Sequence, residues 1–125
     1  MGDDGFEQEP VLNPVQVEAW IRNCTNRVAN AVVVITRREE AMKAAKRDFD
    51  YAFANAFKNA QGSDNLRRQT AVVEAMPHRE RYDNAEIAFN YAKRLAESVE
   101  RELFAAMSIN KSVRGMYAAA GIGEV

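Results

Sequence analysis

Between Pro14 and Gly62 the chain contains neither glycine nor proline, and no other feature restricts its folding as much. Glycine and proline are the residues that end helices, the first through its entropy and left-handed preference, the second through its missing N–H and its clash with the preceding turn. A run free of both predicts one helix of about 48 residues, roughly 70 Å long at 1.5 Å per residue. Its start is marked four times: Asn13 as N-cap, Pro14 at the first helical position, Gln16 at the third to close a capping box, and Leu12 with Val17 as a hydrophobic staple. A helix of this length needs a partner along its whole extent, because packing of an apolar face supplies most helical stability.

The spacing supplies such a face. Val17, Ile21, Cys24, Val28, Ala31, Ile35, Arg38, Met42, Ala45, Phe49, Ala52 and Ala56 alternate steps of four and three, the 3.5-residue repeat of a left-handed coiled coil. Arg38 is the one polar residue in that seam. GSDN, residues 62 to 65, then reads as a tight connection, with the turn at about 61–65: Gly62 suits the left-handed position after a helix, and Ser63 or Asp64 caps the next one. The second helix carries its own repeat, Ala85, Ala88, Ala92, Leu95, Val99, Glu102, Ala106, Ile109, Val113, Met116 and Ala120, again with one charge, Glu102. Pro77 is expected to kink this helix or to set a short segment, about 65 to 76, apart from the long one.

Two long helices joined by a short loop run antiparallel. The expected fold is therefore all-α, a long coiled-coil-like helical hairpin over residues 13–120, between a flexible acidic segment 1–12 and a flexible tail 121–125. A turn centred near residue 63 sets Ile35 opposite Tyr91 and Ile21 opposite Ala105. The same register keeps Arg38 and Glu102 about 14 residues, or roughly 21 Å, apart within one chain. Each then either snorkels to solvent or meets the other between chains, where a buried polar pair would fix register and partner number.

Trp20, Val32, Val33, Val34, Phe53, Phe57, Phe89, Leu103 and Phe104 fall outside one or other seam, and a lone helix pair cannot cover them all. A second copy is the simplest cover, since a two-fold dimer of hairpins makes a four-helix bundle. The alternative is that Phe53 and Phe57 fold under the Pro77 kink within one chain. The expected self-association or partner surface comprises Trp20, Val33, Arg38, Phe53, Phe57, Phe89, Glu102 and Phe104.

Chemistry is scarce by comparison. His78 is the only histidine of the 125 residues and Cys24 the only cysteine, so a Ser-His or Cys-His triad lacks support, a structural zinc site lacks ligands, and a di-iron bundle lacks its paired Glu-x-x-His motifs. His78 beside a helix-breaking proline reads as a surface residue. Gly121-Ile122-Gly123 opens no helix and is no phosphate loop. No catalytic, cofactor-binding or metal-binding residue is expected. The lone thiol and the absence of an apolar leader in MGDDGFEQEP point to a reducing cytoplasm, and no apolar run approaches the ~18 residues of a membrane span.

The 17 Lys and Arg against 18 Asp and Glu give a net charge of -1, with no general excess to neutralise a phosphate backbone. A local cluster near the turn, Arg67, Arg68, Arg79 and Arg81, is the candidate for phosphate contact. Interleaved acids such as Glu80 and Asp83 make a solvated mixed-charge face sufficient to explain it.

The turn NAQGSDNLRRQTAV and the closing run YAKRLAESVERELFAAMSINKSVRGMY resemble small all-helical proteins from the early, non-structural regions of tailed bacteriophages. The resemblance spans roughly residues 15 to 117 and implies a bacterial host cell and a setting in DNA metabolism. It assigns no functional residue. The reading that follows is a non-enzymatic accessory protein that self-associates, as a dimer for choice, and binds a host or phage protein of DNA metabolism or defence. The alternative is a nucleic-acid-binding accessory protein of recombination or replication that uses the basic patch.

Overall fold

The computed structural model describes residues 12–121, which form two helices, α1 (Pro14–Asn59) and α2 (Asp64–Ala119), with no strand among the described residues. The helices pack against each other as an antiparallel hairpin. Apart from Leu12 and Gly121, the segments 1–12 and 121–125, expected to be flexible, lie outside the described residues.

The start of α1 is the expected capping box: the Gln16 N–H donates to Asn13 Oδ1 at 2.9 Å, and the Asn13 N–H donates back to Gln16 Oε1 at 3.0 Å. Two of the four N–H groups that a helix start leaves without partners are thereby satisfied. At the turn, Gly62 has φ 103°, a left-handed value that a side chain resists. Of the two candidate caps the structure uses Ser63, whose Oγ accepts from the Leu66 N–H at 3.3 Å while its carbonyl accepts from Arg67 N–H at 2.9 Å. Arg67 then closes the corner: its Nε–H donates to the Phe57 carbonyl at 3.2 Å and its guanidinium lies 4.5 Å from the Phe57 ring centroid. An end-of-helix carbonyl, which α1 itself cannot satisfy, gains a charged donor.

α2 runs through Pro77 without a break, so the short segment 65–76 is not separate. Proline leaves the Val73 carbonyl without its intrahelical donor. Both Pro77 and Val73 are exposed, on a face where a carbonyl without an intrahelical donor can be hydrated, so the helix need not end.

Eleven of the twelve expected seam positions of α1 point inward, with Val17 and Cys24 fully buried. Arg38 does not: it is exposed, and the half-buried place goes to Glu39. In α2 the expected Leu95 and Met116 are exposed, Ala96 and Tyr117 take the inward places, and Ala120 is exposed as well. The pattern is common to both helices. Within each helix the heptad itself is kept, Ile35 to Met42 and Ala92 to Val99, and only the order of its steps is reversed, four then three in place of three then four. The inward steps of four run from Ile35 to Glu39 in α1, and from Ala92 to Ala96 and Val113 to Tyr117 in α2.

The hairpin divides into two compact units. The terminal unit joins α1 up to Val28 with α2 from Val99, and its buried residues are Val17, Cys24, Val99, Ala106 and Val113. The turn unit, Ala29–Ser98, buries Ala56, Ala71, Ala75, Ala92 and Ala96.

Candidate interaction surface

In the terminal unit Glu102 is the hub of a polar cluster. Trp20 Nε1–H donates to Glu102 Oε2 at 2.9 Å, the Cys24 thiol donates to the same oxygen at 3.3 Å, and Arg27 reaches both carboxylate oxygens at 3.2 Å. The helical repeat brings these three together, since Trp20, Cys24 and Arg27 sit on successive turns of one α1 face. Cys24 and Glu102 are symmetric about residue 63, the expected register. The indole, then the thiol, then the guanidinium hold the Glu102 carboxyl below the ordinary carboxylate range, while burial pulls the other way. Burial first, and the adjacent carboxylate second, push the Cys24 thiol up, so it stays protonated and unreactive at neutral pH. Arg114 also pairs with Glu18 in this unit.

The remaining expected surface residues divide by exposure. Val33, Arg38 and Phe104 are exposed, whereas Trp20, Phe53, Phe57 and Phe89 are half-buried by neighbours of their own chain. Phe53 lies 6.2 Å from Phe49, ring to ring, and Arg79 covers the Phe49 ring at 5.5 Å. Lys93 sits 5.2 Å from the Phe89 ring. Of the four candidate phosphate ligands, Arg67 is committed to Phe57 and to Asp64 at 3.6 Å, and Arg79 to Asp83 at 3.1 Å. Arg81 lies 3.5 Å from His78 Nδ1, and Arg68 has no ion pair among the described residues.

His78, expected at the surface, is half-buried and lines an open cleft with Asp48, Tyr51, Asn55 and Glu74 over Ala56. Among the described residues no three His, Cys, Asp or Glu are grouped to hold a metal ion, and no helix is long and apolar enough to cross a membrane.

The turn unit also exposes an apolar row on α2 that sequence reasoning missed. Leu66, Val73, Ile87, Tyr91 and Leu95 are all more than half exposed on α2. The repeat read for the second helix begins at Ala85, whereas this row, spaced by seven from Leu66 to Val73 and by fourteen on to Ile87, starts before it and crosses Pro77. Comparison with known proteins finds no matching family model, no similar curated protein and no similar solved structure.

Proposed function

We propose that the chain is a non-catalytic interaction protein, a helical hairpin that self-associates and in that form binds another protein. One observation carries this: in the turn unit every buried apolar residue is an alanine, while Leu66, Val73, Ile87, Tyr91 and Leu95 face solvent. Alanine burial yields little, at ~25 cal/mol per Å² of apolar area removed from water. The larger apolar side chains become stabilising only against a partner. The non-catalytic part of the reading rests on the residue inventory, with one histidine and one cysteine, the latter engaged with Glu102. A reducing cytoplasm and a tailed-phage early-region setting, with a host or phage partner, complete the proposal; the second rests on the sequence resemblance alone.

Light scattering from low to high micromolar protein tests it. The expected result is a mass rising to twice 14.0 kDa. A monomer throughout this range removes the self-association on which the reading depends.

A further inference from the structure

Taking self-association as its premise, we propose that the second copy docks antiparallel on the outward face of α2 between Leu66 and Leu95, about a two-fold axis at the level of Glu80 and Arg81. Leu66, Val73, Glu80 and Ile87 are spaced by sevens, which places them in one line along a helix that winds on a partner. Tyr91 and Leu95 extend that line in steps of one turn. The line lies away from the alanines at 71, 75, 92 and 96, which face α1.

The pattern is what identifies the occupant as another copy of this chain. In a two-fold interface, residue i of one copy meets j of the other, and j meets i, so the apolar positions must be symmetric about the axis. An axis between Glu80 and Arg81 sets Leu66 against Leu95 and Thr70 against Tyr91, and brings Val73 within one residue of Ile87, each pair occurring twice. A foreign partner imposes no such symmetry. The charges agree: Glu80 and Arg81 are exposed and neither forms an ion pair among the described residues. At the axis Glu80 of each copy meets Arg81 of the other, so the central contact is attractive and occurs in duplicate. The register also sets Asn84 of the second copy at the level of Pro77, where the Val73 carbonyl has no intrahelical donor.

The test is the concentration dependence of mass for the full chain and five variants, with helicity followed by circular dichroism. Ile87→Glu is expected to raise the dimer dissociation constant ~100-fold or more, as loss of a central apolar anchor does. Val33→Glu, on α1, is expected to leave it unchanged. Glu80→Arg and Arg81→Glu each bring like charges together and weaken the dimer, and the double variant restores it to within ~2-fold of the parent. These surface positions keep the fold, so helicity stays at the parent level. A parent dimer that tolerates Ile87→Glu, or a double reversal no tighter than the singles, overturns this face and leaves self-association standing. A parent that stays monomeric leaves the face to a different protein or to none, and overturns both.

Discussion

The two units of the hairpin are built from the same repeat and held in opposite ways. The terminal unit buries valines and a cysteine and gives its one inward carboxylate three donors. The turn unit buries alanines only, and three of its aromatic rings, Phe57, Phe49 and Phe89, lie half-covered beneath Arg67, Arg79 and Lys93. A polar hub of that kind specifies alignment, because a one-turn slip would strand Glu102 away from Trp20, Cys24 and Arg27, and an unpaired part-buried carboxylate is costly. An alanine seam allows close approach of the helices but distinguishes neighbouring registers weakly. In the turn unit the register is set at its end, by Gly62, the Ser63 cap and the Arg67 bond to Phe57.

The sharpest way to break this contrast is to charge the alanine seam. Ala75 is fully buried, so Ala75→Asp places a carboxylate where no donor waits, at a cost on the order of 4 kcal/mol. Hydrogen exchange should show protection lost first among the amides of Ala29–Ser98. Protection lost first around Cys24 would contradict the assignment of Ala75 to a seam of its own. Val17→Ala comes next: a fully buried valine is trimmed in the terminal unit, at about 2 kcal/mol, read from the urea midpoint. A cost below about 0.5 kcal/mol would mean that the valine packing there is dispensable and the polar hub suffices.

Acid should separate the units without any mutation. The folded-state pKa of Glu102 is depressed by its three donors, so its contribution is present above the unfolded carboxyl value of about 4.3 and is lost as pH falls through the lower folded value. Trp20, the single tryptophan, donates directly to that carboxylate and reports the event. Its fluorescence is expected to change below the unfolded carboxyl value of about 4.3, as the carboxylate takes up its proton, and Glu102→Gln, which keeps an acceptor but no titration, should abolish that step. Persistence of the step in the Gln variant would assign it to another carboxylate.

Much of this architecture is legible in the residues, and the exceptions have identifiable causes. The start of α1, the Gly62 turn and the pairing about residue 63 follow from local chemistry with strong positional rules, namely a capping box, a left-handed glycine and a hydroxyl cap. The seam was legible to within one residue, and its errors at Arg38, Leu95 and Met116 have one form: the structure takes a step of four where the alternation takes three, and turns the next residue inward. Glu102 was singled out correctly as an interruption. Its partners were missed because it was matched with the other lone charge, Arg38, whereas the register already placed Cys24 opposite, with Trp20 and Arg27 one turn to either side. The outward row on α2 stayed hidden for a different reason: the repeat read for that helix begins at Ala85, and the row starts before it and crosses Pro77. Pro77 marks a boundary in sequence, but on an exposed face, where a carbonyl without an intrahelical donor can be hydrated, a helix can carry it.

Arg38 carries the smallest predicted effect, and that is what makes it informative. Set in the seam, its charge would be desolvated, and Arg38→Leu would stabilise the hairpin by removing it. The structure instead leaves Arg38 exposed and turns Glu39 inward, 4.0 Å from Lys43. An exposed arginine without an ion pair among the described residues contributes little, so both Arg38→Leu and Arg38→Ala are expected to change the urea midpoint by no more than about 0.5 kcal/mol equivalent. Glu39→Leu is the informative partner experiment. At the half-buried position an apolar residue extends the row from Ile35 to Met42 and should stabilise the hairpin, whereas the same change at 38 should not. Stabilisation by Arg38→Leu with none from Glu39→Leu would return the arginine to the seam, and with it the unbroken 3.5-residue repeat.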